Sequence, residues 1–116
     1  MAKPVAHYSP SVGADGWLFV SGQVGLAEGG LVAGGVEAEA RQALANLTAV
    51  LAEAGTRLTD VVKCTVFLAD IDDFAVVNGI YAEVFGDHRP ARSMIAAGGL
   101  PLGARVEIEA VAFSGP

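Results

Sequence analysis

Ala40, Leu44, Leu47, Leu51 and Ala54 recur at steps of four, three, four and three, the spacing that lines up one apolar stripe on an α-helix. Glu39, Gln42, Thr48 and Glu53 fall away from that stripe, and Gly55 is placed to end the helix. Val61 to Leu68 is rich in β-branched residues and too short for a typical helix, so it is expected as a strand, mostly buried. A second helix follows, capped by Asp72 or Asp73, carrying Phe74, Val77, Tyr81 and Val84 on one face and stopped by Gly86. From Arg105 to Phe113 the pattern alternates strictly. Val106, Ile108, Ala110 and Ala112 point one way; Arg105, Glu107, Glu109, Val111 and Phe113 point the other.

Shorter signals fill in the rest. Trp17 to Ser21 is an apolar, β-favouring run between Gly16 and Gly22, and reads as a strand. Gly25 to Gly35 reads as hairpin or loop around a short strand at Leu31-Val32. The chain is extended at Arg89 by the following Pro90. Arg92 to Ala96 reads as a strand, and Gly98 to Pro101 as a turn. The order is strands, helix, strand, helix, two strands. Two amphipathic helices over one sheet make a two-layer α+β domain, with the even-numbered side of the last strand against the helices. The other side mixes Glu107 and Glu109 with Val111 and Phe113. It suits neither core nor solvent, and a second subunit laid over it would cover the apolar part and leave clefts at the seams.

Composition narrows the function. The 116 residues are 53% hydrophobic and 17% charged, too apolar for a disordered chain. Yet no uninterrupted apolar run reaches the roughly 18 residues of a membrane span. Seven Lys+Arg against thirteen Asp+Glu leave a net charge of −6. Nucleic-acid binding draws its strength from cationic side chains on phosphates, so neither nucleic acid nor an anionic membrane surface is expected as a partner. Cys64 is the single cysteine, which rules out an intramolecular disulfide and fits a reducing compartment. The first residues carry no apolar signal segment, and a cytoplasmic protein is expected.

Generic motifs are absent: no phosphate-binding loop, no dinucleotide fingerprint, no nucleophile elbow. His7 and His88 lack the spacing of a zinc site and are expected on the surface or in loops. Cys64, on an apolar strand, is expected as a buried structural thiol. Three features stand out. Arg92 lies in a strand of small and apolar neighbours and needs an anion. That anion is a carboxylic-acid ligand, matched by the guanidinium fork, or a protein carboxylate such as Glu107; both readings stand at this point. Glu107, beside Glu109 on a partly apolar face, has the setting for a raised pKa and acid/base work, although a solvated strand face would look the same. Ser21-Gly22-Gln23 offers a place where backbone can approach a ligand closely.

Together these residues carry a resemblance. Phe19-Val20-Ser21-Gly22-Gln23, Arg41-Gln42-Ala43-Leu44 with Asn46-Leu47, and Asp60 to Leu68 resemble the RidA/YjgF family, which also bears the older label endoribonuclease L-PSP. So do Asp73-Phe74 with Asn78 and Tyr81, Pro90-Ala91-Arg92-Ser93, and Leu100-Pro101 followed by Val106 to Ala110. The match keeps one register from about Tyr8 to Phe113, and 1–116 is expected to be a single RidA-like domain. The resemblance implies a chorismate-mutase-like α+β fold with one mixed sheet, two helices on one face, and a homotrimer with clefts between subunits. It implies hydrolysis of reactive enamines and 2-imino acids, such as 2-aminoacrylate, to 2-oxo acids and ammonia, with no cofactor and no metal. Arg92 then matches the clamp on the substrate carboxylate, and Glu107 the acid that positions water and moves the proton. Tyr8, Ser21 and Asn78 match positions lining the cleft.

The chain also departs from that pattern. Ala6-His7 stands where the family commonly has Gly-Pro. Met94 stands where many members have Cys, and Ala97-Gly98-Gly99 replaces a charged segment. The Cys position is thought to act partly through its backbone carbonyl, so Met94 need not abolish water placement, but its long side chain reshapes the pocket and bears on substrate preference. The runner-up is a non-catalytic module that binds a small carboxylate through Arg92. Ribonuclease activity fits poorly with the net charge and with the lack of a catalytic His pair.

Overall fold

A computed structural model describes residues 6–115. In chain order the elements are β1 (Ser11–Ala14), β2 (Trp17–Gln23), the short pair β3 (Leu26–Ala27) and β4 (Gly30–Leu31), α1 (Gly35–Glu53), β5 (Val61–Leu68), α2 (Phe74–Phe85), β6 (Ala91–Ala96) and β7 (Val106–Phe113). Five strands form one sheet in the order β1-β2-β7-β5-β6. It is mixed: β5 and β6 run parallel, and the other neighbours are antiparallel. Parallel neighbours need a crossover connection, and α2 supplies it.

Both helices bury their apolar stripes on one side of this sheet. Ala40, Leu44, Leu47 and Leu51 of α1, and Val77 of α2, are fully buried against Val106, Ile108 and Ala112 of β7 and Cys64, Val66 and Leu68 of β5. Each such leucine contributes on the order of 1.5–3 kcal/mol of apolar burial. The two-layer α+β arrangement and the alternation along β7 match the expectation. No helix among the described residues is long and apolar enough to cross a membrane.

Several details differ from the sequence pattern. β1 was not anticipated. It pairs with β2 through a tight turn at Asp15-Gly16, whose φ values of 51° and 86° suit the twist of a two-residue hairpin. Glu39 does not lie on the exposed side of α1: it is buried, and its Oε1 accepts the Arg105 backbone N–H at 2.9 Å. That bond ties α1 to the start of β7. Ala54, expected on the buried stripe, is the exposed residue that closes the helix, while Gly55 beyond it takes a positive φ of 77°. β5 is not uniformly buried but alternates, because only one face of the sheet is covered by helices. Asp73 occupies the position before α2 without bonding its backbone. Asp70 instead accepts the Asp72 N–H in the preceding turn, and Asp73 lies 3.5 Å from Arg105.

Asn46 of α1 anchors the segment after β2. Its Nδ2 donates to the carbonyls of Val24 and Leu26 at 3.0 and 2.9 Å. The β2–β7 register shifts between Val20 and Gln23, so Ser21 and Gly22 sit on an irregular stretch that this anchor supports.

Candidate active site

The parallel pairing of β5 and β6 sets Arg92 opposite Cys64. Cys64 is fully buried under the helices, and residues paired across neighbouring strands share a face. Arg92 therefore points to the helix side, at the edge of the sheet. There its Nη1 donates to Asn78 Oδ1 at 2.8 Å. Its guanidinium lies over the Tyr81 ring, 4.9 Å from the centroid, and 5.7 Å from that of Phe74, a cation–π setting that holds the group flat. Among the described residues Arg92 forms no ion pair with any carboxylate. The salt-bridge reading, with Glu107 as the partner, is not what the chain adopts.

Arg92 instead borders an open cavity of about 490 Å³ together with Asn78, Tyr81, Phe85, His88 and Arg89. Beneath it, Tyr81 Oη is buried without a hydrogen-bond partner of good geometry, and the Cys64 thiol lies beside it. Burial pushes the Tyr81 hydroxyl up first, and the neighbouring thiol adds to this. Burial likewise pushes Cys64 up, as expected for an inert structural thiol. His88 lies in the loop before β6, as expected, but it is half-buried there and its Nε2 donates to the Val61 carbonyl at 2.7 Å. Met94, two residues beyond Arg92, pairs with Val66 and packs on the core. It does not line the cavity, so its length is absorbed by the interior.

Glu107 occupies the other side of the sheet. It pairs with Phe67, facing away from the helices, and burial followed by the nearby Glu109 carboxylate raises its pKa. Gly22 packs directly on it: a Cβ there would collide with the Glu107 carboxylate. Ser21, next to that contact, donates from Oγ to the Ser9 carbonyl at 2.6 Å and from its N–H to Pro10. These bonds hold the segment that carries Tyr8, which is exposed. One chain thus brings Arg92 and Asn78 together, and Glu107 with Gly22 and Ser21, but it does not bring the two groups together. Sequence reasoning missed Arg89 and His88 as cavity residues; the one signal was their place beside Pro90, where the chain must turn into β6.

A sequence model of the family Endoribonuclease L-PSP matches residues 1–114. A human protein named 2-iminobutanoate/2-iminopropanoate deaminase is 48% identical over 114 residues, covering 97% of this chain and 83% of that one. A crystal structure of RidA from an Antarctic Psychrobacter superimposes with a TM-score of 0.91 at 36% identity, covering 96% of this chain and 91% of the other. Escherichia coli TdcF with bound serine gives 0.89 at 33% identity, covering 95% and 90%. The chain belongs to the endoribonuclease L-PSP family, the RidA/YjgF group of its resemblance.

Proposed function

We propose that the chain is an enamine/imine deaminase. It hydrolyses 2-enamine and 2-imino acids, such as 2-aminoacrylate, to 2-oxo acids and ammonia. The observation that carries this is Arg92: a guanidinium held by Asn78 and two aromatic rings, with no carboxylate partner among the described residues, at the wall of an open cavity. Such a group is prepared for a carboxylate ligand. The activity in the names of the curated relatives supplies a ligand of that kind.

The chemistry asks little more of the protein. Arg92 clamps the substrate carboxylate and fixes where the imine carbon lies. Water adds to that carbon, the carbon–nitrogen bond breaks, and ammonia leaves. Glu107 moves the proton between the water and the departing nitrogen, a task for which a raised carboxyl pKa is suited. Tyr8, Ser21 and Asn78 line the cleft, and Met94 backs it from the core.

Arg92 and Glu107 meet across a subunit boundary. Within one chain their strands are separated by β5, roughly 9–10 Å at two strand spacings, and they face opposite ways. A small acid cannot touch both. Val12, Phe19 and Ile95 are 57%, 50% and 48% exposed on the Glu107 side, an apolar surface that a neighbouring copy would cover. The assembly is a homotrimer in which Arg92 of one subunit faces Glu107 of the next.

Imine hydrolysis tests the activity. Several L-amino acids are oxidised in situ and the 2-imino acids trapped with semicarbazide. The protein reduces the trapped product, and the Arg92→Ala variant does not. No reduction with any amino acid would leave a carboxylate-binding module.

A further inference from the structure

The cavity beside Arg92 has a second cation in its wall. Arg89 lines it as well, and among the described residues neither arginine forms an ion pair. In a chain of net charge −6 with seven Lys+Arg, two arginines line one cavity whose wall holds no acidic side chain. Like charges so placed repel, and an anion that reaches both relieves the repulsion. Three residues apart on a straight strand, the two side chains would point to opposite faces. Here β6 begins only at Ala91, and both residues line the same cavity. Pro90 stiffens the segment leading into β6 and restricts Arg89 to extended backbone. On its other side the loop is pinned by the His88 bond to Val61. The second guanidinium is therefore presented from a fixed backbone, which lowers the cost of ordering it on a ligand.

We propose that this cavity selects 2-imino acids bearing a second carboxylate, such as 2-iminosuccinate and 2-iminoglutarate, with Arg92 on the carboxylate next to the imine carbon and Arg89 on the distal one. The inference rests on the role given to Arg92 above and deepens it by naming the substrate class. Asn78 stays bonded to Arg92, and Phe85 and Tyr81 leave an apolar floor for the carbon chain between the two acids. A neutral substrate would use Arg92 alone and leave Arg89 without a partner.

Binding of stable 2-oxo acid products tests this without depending on turnover. Calorimetry on the wild-type protein compares 2-oxoglutarate with 2-oxobutanoate, then repeats the pair on Arg89→Gln and Arg89→Lys. The wild type is expected to favour 2-oxoglutarate by roughly tenfold or more, about 1.4 kcal/mol. That ratio falls toward one in Arg89→Gln and is partly restored in Arg89→Lys, where the charge returns without the fork. Equal affinities in the wild type, or a ratio that Arg89→Gln does not change, overturn the second-carboxylate assignment. Semicarbazide trapping with 2-iminobutanoate on the wild type is read separately. Failure there and with 2-iminoglutarate together sinks the deaminase reading, while the affinity ratio still decides what the two arginines select.

Discussion

Arg92 and Glu107 lie on opposite faces of one sheet with β5 between their strands. If the proposed trimer joins Arg92 of one subunit to Glu107 of the next, activity is a property of the assembly. Two inactive variants, Arg92→Ala and Glu107→Gln, are expected to complement each other when co-refolded. A site formed from the intact Arg92 of one and the intact Glu107 of the other regains function. Random mixing of equal amounts should restore roughly a quarter of wild-type activity. Activity no greater than that of either variant alone would place the whole site within one chain.

Arg92→Ala separates binding from folding. Among the described residues Arg92 has no ion pair, and its removal leaves Asn78 next to an open cavity where water can replace the lost bond. The expected stability change is within about 1 kcal/mol, with loss of measurable 2-oxo acid binding. Thermal unfolding and calorimetry on the same sample check both. A variant that fails to fold would make Arg92 a structural group instead.

Much of this was legible beforehand. The 3.6-residue stripe of α1 and the two-residue alternation of β7 are strong signals because each element has one dry face, and Leu44, Leu47, Ile108 and Ala110 lie where the pattern puts them. Glu39 was misplaced because a buried carboxylate that bonds a distant backbone N–H leaves no trace in helical periodicity. β1 was missed because Val12 and Gly13 sit on an exposed edge, where no apolar pattern is needed; the Asp15-Gly16 turn was its one mark. The side of Glu107, away from the helices, was legible in the alternation of β7, but the opposite side taken by Arg92 was not. The side of Arg92 follows from the parallel β5–β6 register, which sequence spacing does not encode.

Gly22 is expected to be essential to Glu107 without touching substrate. Its φ is not in the left-handed region, so alanine there is not strained by backbone conformation. What it meets is the Glu107 carboxylate, which an added methyl would displace. Gly22→Ala should therefore fold with near-normal stability, bind 2-oxo acids through Arg92, and lose turnover by on the order of a hundredfold, the scale of a misplaced acid/base group. Equal loss of binding and turnover would argue that the methyl disturbs more than Glu107.

The raised pKa of Glu107 carries a stability consequence whose sign can be worked out. Burial and Glu109 hold its folded-state value above the unfolded one. Between those two values the folded protein binds more protons than the unfolded chain, so stability falls as pH rises through that window. Above the folded value the ionised carboxylate carries a net cost; below the unfolded value the cost is absent. Glu107→Gln removes it. The variant is expected to melt at a higher temperature than wild type at pH 7, and the gap should close as pH is lowered through the ordinary carboxylate range. The assembly must be held constant during the comparison, since dissociation would itself shift the melt. Should the gap instead widen toward low pH, Glu107 would be stabilised as the anion, with a pKa below rather than above the ordinary carboxylate value.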